Sequence, residues 1–486
     1  MMGGDLWGDG WPALLVLVPV LAAAAAFVAP RAAASVGISV SAGLAVAGLA
    51  LAARITALGP VTVPLGGWGA PLGIDLGIDG LAALLVAMTC CIGLLVGIAA
   101  ANDRRQSPPA IFWPLWMVLL AGLNAIYLSD DVFNIYVALE VIGLAAVGLT
   151  AMTGRAAALR AALTYLFAGL VGSLLFLLGV HFLYAAHGRV DIGGLADATG
   201  GAATTAALML MLGGLALKTA IFPLHFWLPA AHSSAAPPAS ALLSALVVKG
   251  SLYVALRLWL ELFSPSDALA LLMGLLGAGA VLYGSWQALR AKRLKLLVAY
   301  STVAQIGMMT IAFALTNDQG AEAALRGAVF LMLAHAVAKA AMFLAAGRIA
   351  HHIGHDRIDG IDRAGIRPGA AQVAFALAAI SLIGLPPSAG FVGKWLLLEG
   401  AIVSDAWVWA LVIMAGTALS AAYLLRVLAA FVRFDRIEGP LVRPDWTAAD
   451  AAPLALALAS IGLGLAAAWP LALMLEGHPL IPEIAP

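Results

Sequence analysis

Residues 213–250 read GGLALKTAIFPLHFWLPAAHSSAAPPASALLSALVVKG. Two apolar runs lie here, and each carries one lysine near its middle: Lys218 in the first, Lys249 in the second. A lysine at the centre of a membrane helix costs roughly 2.5–3.5 kcal/mol on translocon scales. Such a residue persists only if it is paired, hydrated or used. Pro223 and Pro229 follow Lys218, so the first helix is expected to break: Pro223 removes a backbone donor and clashes with the preceding turn. Broken backbone at membrane depth stands only where protein or a wet cavity surrounds it. A buried lysine beside a break, with His225 inside the break, points to an ion path. The competing reading is a lysine that snorkels to the surface, which the long apolar run before Lys218 disfavours.

Composition sets the class. The 486 residues are 63% apolar and 10% charged, with a mean hydropathy of +1.02. A soluble domain carries about 25% charged residues. An all-α integral membrane protein is therefore expected, long enough for about fourteen spanning helices of ~20 residues. The formal net charge is zero, which offers nothing to nucleic acid. The two cysteines, Cys90 and Cys91, are adjacent in an apolar run and make neither a disulfide framework nor a metal site. Asp5 and Asp9 precede the first apolar run where a signal peptide would be basic, so no cleaved leader is expected.

The apolar segments fall near 11–28, 33–53, 80–100, 110–128, 132–152, 157–184 and 204–228, then 239–262, 268–289, 294–315, 321–349, 372–402, 408–432 and 451–475. The seventh and twelfth each contain a break. With the N-terminus outside, the cytoplasmic loops and helix ends collect Arg31, Arg104, Arg105, Arg155, Arg160, Arg290, Lys292, Arg293 and Lys295. They also collect Arg348, Arg357, Arg363, Arg367, Arg433, Arg436 and Arg443, while the other side keeps Arg54, Arg189, Arg257 and Arg326. Positive charge in short loops marks the cytoplasmic side, so both termini are expected outside. The longest polar connections are 54–79, read as a short external hairpin, and 350–369. The second holds His351, His352 and His355. A metal site is one reading of that cluster; a polar loop is the favoured one, because no ligand spacing is recognisable.

Intramembrane charge makes the strongest pattern. Glu140 is the one acid deep inside a run, Lys339 follows His335 by four residues on the same helix face, and Lys394 follows the second break, SLIGLPPSAGFVGKW. Of six lysines, four lie inside predicted helices, where solubility gains nothing from them. Unpaired, Glu140, Lys218, Lys249, Lys339 and Lys394 would together cost on the order of 15 kcal/mol, comparable with the net stability of a whole protein. They are expected to share a hydrated interior. Desolvation favours a neutral amine and a nearby carboxylate favours the ammonium, so a row of such groups is a candidate proton relay. Static ion pairs explain one pair and leave a surplus of lysines. The two breaks, one with its lysine before the prolines and one after, suggest inverted repeats around a midplane path.

LKTAIFPLHFWLPAAH, PPASALLSALVVKGSLY, LVAYSTVAQIG, HAVAKAAMFL and LPPSAGFVGKW, with Glu140 in the fifth segment, resemble the antiporter-like subunits of respiratory complex I and Mrp cation/proton antiporters. The likeness is nearest to the D-type Mrp proteins. It implies fourteen helices in two inverted five-helix repeats: helices 1–3 at 1–109, helices 4–8 at 110–262, helices 9–13 at 263–435, and a last helix at 436–486. It implies a Glu140–Lys218 pair, Lys249 as a relay lysine, His335 and Lys339 as helix-eleven groups, and Lys394 as the terminal group. Pro223, His225, Ser301, Gln305, Pro386 and Pro387 are expected along the path. Two departures stand out: Ala230 replaces an acid common in WLPDAH, and Gln305 replaces a histidine found in some members.

The sequence contains neither a Gly-rich phosphate loop nor iron–sulfur cysteines. No cofactor is expected, and the driving energy is assigned to an ion gradient or a partner's electron transfer. Three functions remain: an Mrp-type Na+/H+ antiporter subunit, a proton-pumping subunit of a redox complex or hydrogenase, and a stand-alone solute transporter. The third would need clustered polar selectivity residues. Expected partners are other membrane subunits, protons, Na+ and the lipid bilayer of a bacterial-type cell membrane.

Overall fold

A computed structural model of the chain describes residues 10–103, 108–198, 201–263, 265–363, 367–433 and 446–477. Asp5, Asp9, Arg104, Arg105, Arg436 and Arg443 lie outside the described residues. In lipid, backbone polar groups must be satisfied within the chain, and the apolar runs accordingly become helices. The N-terminal part forms α1 (Leu14–Val28), α2 (Ala33–Leu58), α3 (Gly80–Asn102), α4 (Phe112–Leu128), α5 (Val132–Ala151) and α6 (Ala156–His187). Next come α7 (Ile192–Ala198), α8 (Ala202–Thr219), α9 (Leu228–Ser234), α10 (Pro237–Leu242) and α11 (Val248–Glu261). The remainder holds α12 (Asp267–Arg290), α13 (Leu294–Thr310), α14 (Ala321–Ile353), α15 (Ala370–Ile383), α16 (Ala389–Val403), α17 (Trp407–Val432), α18 (Ala448–Leu465) and α19 (Ala468–Leu473).

Among the described residues, 12 helical stretches are long and apolar enough to cross a membrane; α10 and α11 count as one, joined by a π-helical turn at Leu243–Val247. α4 and α15 are shorter apolar helices. The seventh predicted run holds α8 and the non-helical stretch 220–227 that leads into α9, and the twelfth divides into α15 and α16. This is an all-helical multi-pass membrane protein but for one element. The 54–79 connection folds as an antiparallel hairpin, β1 (Val61–Pro64) against β2 (Asp75–Ile78), with Val61 opposite Ile78 and Pro64 opposite Asp75.

Polar caps fix several helix starts, since the first N–H groups of a helix lack internal partners. Asp79 accepts from Ala82 N at 2.6 Å to open α3, and Asp131 accepts from Asn134 N at 2.7 Å to open α5. Burial sorts the helices into two layers. The apolar windows of Pro237–Glu261 and Ala321–Ile353 are 100% buried, and that of Leu294–Leu315 is 89% buried. The windows of α2, α6 and α17 are each 39% buried, as a face toward lipid requires. The enclosed layer is the one that carries Lys249, Lys339, Ser301 and Gln305.

The connecting loops assort onto two faces. On one, Pro108, Met152, Arg155, Ser233, Arg293 and Asp356 border a cavity of about 670 Å³. Arg293 Nε bonds Asp356 at 2.8 Å and Leu294 N bonds the Asp356 carbonyl at 2.7 Å, so the 291–295 and 350–358 connections are pinned together. Arg348 forks onto Asp450 at 3.0 and 3.1 Å, fastening α14 to α18. The other face gathers acids. Asp130 N bonds the Asp75 carbonyl at 3.1 Å, and Arg257 joins Asp130 and, at 2.8 Å, Glu261. Burial pushes the Asp130 carboxyl up, and Arg257 partly offsets this; the Arg189 hydrogen bond holds Asp191 below the ordinary carboxylate range.

One assignment from the sequence is corrected. Sequence position groups Lys295 with the loop and helix-end charges, yet it is buried, and its ammonium donates to the Ala235 carbonyl. The reason is tertiary: the 235–236 connection between α9 and α10 covers the first turn of α13. Five of the six lysines are therefore withdrawn from the surface.

Candidate functional site

α6 and α8 pack so closely that a Cβ on Gly214 would sit 2.3 Å from the Gly172 carbonyl oxygen. Small residues let membrane helices approach in this way. The approach brings Ser173 of α6 and Lys218 of α8 onto Glu140 of α5. Lys218 Nζ lies 3.2 Å from Glu140 Oε1, and the Ser173 hydroxyl donates to the same oxygen. α8 ends at Thr219, after which Ala220 takes a left-handed conformation (φ +60°), and the Leu217 carbonyl accepts from Ala220 N at 3.2 Å and from Trp227 Nε1 at 2.9 Å. Thr219 Oγ1 reaches Ser251 of α11 at 2.9 Å, two residues beyond Lys249.

From Lys249 a row of shared hydrogen-bond partners runs across the enclosed layer. The Lys249 ammonium donates to the Ser244 carbonyl within the π-helical turn, a distortion common at functional positions. Ser244 Oγ meets Thr302 Oγ1 at 2.9 Å, and Thr302 donates to the Val298 carbonyl at 3.2 Å. Lys339 Nζ donates to that same carbonyl at 2.8 Å and also to Ser301 Oγ. The Tyr423 hydroxyl faces Ser301 and bonds Ser420 at 3.1 Å; Gln305 Nε2 meets Ser420 at 3.4 Å and the Leu382 carbonyl at 3.3 Å.

The row ends at Lys394, whose ammonium donates to the Leu382 and Ile383 carbonyls at 2.9 Å each. These carbonyls close α15, the negative end of its dipole. Gly384 makes the fit possible. It sits at φ +86°, and a Cβ there would lie 2.8 Å from Lys394 Cδ. The side chain therefore turns back into the break.

His335 is completely buried on the same helix as Lys339, within electrostatic reach of Lys249, Lys339 and Lys394. Neither of its ring nitrogens has a hydrogen-bond partner among the described residues. Buried polar atoms of this kind call for water. Pro223, Pro386 and Pro387 are exposed and shape the breaks from outside the row. His225 is buried against Phe222 and Tyr283, with ring centroids 5.5 and 5.0 Å away, also beside the row.

Sequence reading missed His232, Ser244, Thr302, Ser420, Tyr423 and Ser173. His232 stands in the WLPAAH motif and is as deeply buried as His335, with both ring nitrogens equally unpartnered. Its position inside a quoted motif was an available signal. The hydroxyl residues gave none, since their partners lie up to 115 residues away. Among the described residues no three histidine, cysteine or acidic side chains come together as a metal site; His351 and His355 line the loop cavity, and the His352 ring lies 6.0 Å from that of His351. Lysine and histidine can take up and release protons, while hydroxyls both donate and accept. A linked row of these groups has the chemistry to move protons.

A sequence profile of the NADH:quinone oxidoreductase/Mrp antiporter transmembrane family matches residues 129–420, which hold Glu140, Lys218, Lys249, His335, Lys339 and Lys394. The chain belongs to that family. The chain is 34% identical over 432 residues to the N-type subunit of NADH-quinone oxidoreductase from Desulforudis audaxviator, covering 86% of this chain and 85% of the relative. It is 32% identical over 397 residues to the D-type Na(+)/H(+) antiporter protein of Bacillus subtilis, covering 79% and 78%. Among solved structures, a chain of the Mrp complex from a Dietzia species superposes with a TM-score of 0.87 at 25% identity, over 97% of each chain.

Proposed function

We propose that this chain is the ion-translocating membrane subunit of a multi-subunit Na+/H+ antiporter, passing protons along Glu140, Lys218, Lys249, His335, Lys339 and Lys394. The observation that carries the reading is the row of shared partners from Lys249 to Lys394, whose part from Lys249 to Lys339 lies in helices with apolar windows almost wholly enclosed. Likeness to the Bacillus antiporter protein and to a chain of the Mrp complex supports membrane-subunit partners. The cavity face, with Arg155, Arg293 and Lys295, is assigned to the cytoplasm by its positive charge, which leaves both termini outside. Residues 110–262 and 263–435 are assigned as inverted repeats, flanked by 1–109 and 436–486, because each contains one broken helix with a buried lysine at the break. The bilayer is then a bacterial-type cell membrane.

A second reading, a proton-pumping subunit of a complex I-like oxidoreductase or a membrane-bound hydrogenase, is favoured by the 34% identity to the quinone oxidoreductase chain. Inverted vesicles containing the assembled complex separate the two. Under the antiport reading, added Na+ collapses an imposed proton gradient, and Lys339→Ala prevents the collapse. Proton uptake that follows only electron transfer to quinone supports the second reading. Unchanged proton movement in Lys339→Ala under both regimes removes the buried row from either.

A further inference from the structure

The cavity of about 670 Å³ on the basic-loop face has a floor, and that floor is thin. Ser233, Ser234, Ala235 and Ala236 line it, together with Lys295. On the far side of the same segment stands His232, with no solvent exposure and no hydrogen-bond partner for either ring nitrogen among the described residues. It lies within electrostatic reach of Lys295 on the cavity side and of Lys249 and Lys339 on the row. The non-helical connection 235–236, which joins α9 to α10, is part of the cavity lining. Its Ala235 carbonyl is the acceptor for the Lys295 ammonium.

Lys295 has no carboxylate partner among the described residues. The nearby acid, Asp356, is taken by Arg293 at 2.8 Å. A buried lysine held by a single carbonyl, at the bottom of a cavity and beside an unsatisfied histidine, is poorly explained as a structural ion pair. The cavity's charge adds a second argument. Arg155, Arg293, Lys295, His351 and His355 line it against the single acid Asp356. A basic wall raises the cost of holding any cation in the cavity, so a proton arriving as hydronium is better placed on a basic nitrogen than left in the vestibule.

We propose that Lys295 is the hand-over residue for protons between this vestibule and His232. This rests on the proton-translocation reading above. In the step, the neutral Lys295 amine takes a proton from hydronium in the vestibule: an N–H bond forms and an O–H bond breaks, leaving water. The ammonium then releases that proton across a bridging water to an imidazole nitrogen of His232, which faces Lys249 and Lys339. The amine is restored, and no oxidant or other co-reactant is needed. The Ala235 carbonyl holds the lysine in the floor and limits open water beyond it.

The test has two arms in the assembled complex. In the first, Ser234→Cys, with Cys91→Ser, is treated with a membrane-impermeant maleimide. Labelling from the face exposed in inverted vesicles, and not in right-side-out ones, is expected; no labelling from that face overturns the vestibule. In the second, proton movement is measured for Lys295→Gln, Lys295→Arg and Lys295→His, with assembly checked. The Gln and Arg variants are expected to lose about tenfold or more, because both keep a donor for Ala235 but neither releases a proton. The His variant should recover part of the rate with its pH optimum moved toward acid, since imidazole titrates lower than an amine. A wild-type rate in Lys295→Arg, or a rate in Lys295→His without a moved optimum, reduces Lys295 to a static plug and overturns the role. Wild-type vesicles that move no protons would instead remove the translocation reading itself.

Discussion

The two broken segments solve one electrostatic problem in different ways. Each break leaves the carbonyl end of a half-helix inside the protein, and each places a lysine beside it. Lys218 sits in the last turn of α8 and turns sideways to Glu140 at 3.2 Å. Lys394 sits across the break from α15 and docks on its last carbonyls at 2.9 Å, with no carboxylate among its hydrogen-bond partners in the described residues. A charged pair needs its partner, and removing one member strands the other. A lysine on carbonyl dipoles has no partner to strand. The first half of the chain is therefore organised around a charge pair, and the second around dipoles, hydroxyls and one amide.

The sharpest way to break this comparison is at the acid. Glu140→Ala is expected to abolish coupled proton movement in vesicles, a loss of about a hundredfold or more if proton transfer fails, with the complex still assembled. Exchanging the two charges, Glu140→Lys with Lys218→Glu, should restore a measurable fraction, since the pair is mutual. Normal exchange in Glu140→Ala would leave the ion pair structural. Glu140→Asp should retain part of the rate, because charge survives and reach shortens.

Next in size are the enclosed lysines. Lys249→Arg and Lys339→Arg keep positive charge but cannot release a proton, so each is expected to lower transport by about tenfold or more. Full rates in both would mean that fixed charge is enough between the breaks, as it would be in the first half. His335→Gln should cost less, because an amide still orders water.

A smaller effect is expected at the second break. Gly384→Ala places a Cβ 2.8 Å from Lys394 Cδ at a backbone conformation that L-residues avoid. It should cost about 1 kcal/mol of stability and lower transport several-fold by displacing the ammonium from α15. Thermal unfolding in detergent together with vesicle exchange checks both. If Gly384→Ala transports normally while Lys394→Ala does not, Lys394 works without its carbonyl cradle.

The smallest effect is assigned to Tyr423→Phe, which removes a hydroxyl from a stretch where Ser301, Ser420 and Gln305 remain. A two- to threefold decrease at most is expected (about 0.5 kcal/mol of barrier). Complete loss would make Tyr423 a link without a bypass, and would bring the second half closer to the strict pairing of the first.

Much of this was readable without the fold. Glu140, Lys218, Lys249, Lys339 and Lys394 stand out because charge in apolar runs is costly, and Pro223 and Pro386–Pro387 mark the breaks because proline cannot continue a helix. The inward turn of Lys394 was not readable. It depends on Gly384 leaving room for the side chain and on where α15 ends, both properties of packed backbone. His232 lay in plain view in WLPAAH, but nothing in the motif says that it faces Lys249, Lys295 and Lys339.

By itself, then, the sequence determined that the chain crosses a membrane repeatedly, where its helices break, and which ionisable groups are held at membrane depth. Hydropathy, proline and charge are local properties, and the bilayer converts them directly into spans and breaks. The tertiary structure alone decided which groups meet. The Glu140–Lys218 contact spans 78 residues, Ser244–Thr302 58, and Gln305–Ser420 115. It also decided that Lys295, which reads as an ordinary loop-end charge, lies buried on the Ala235 carbonyl. Partners so far apart are chosen by how helices pack against one another, and the packing of small residues such as Gly172 against Gly214 becomes visible only when both helices are in place.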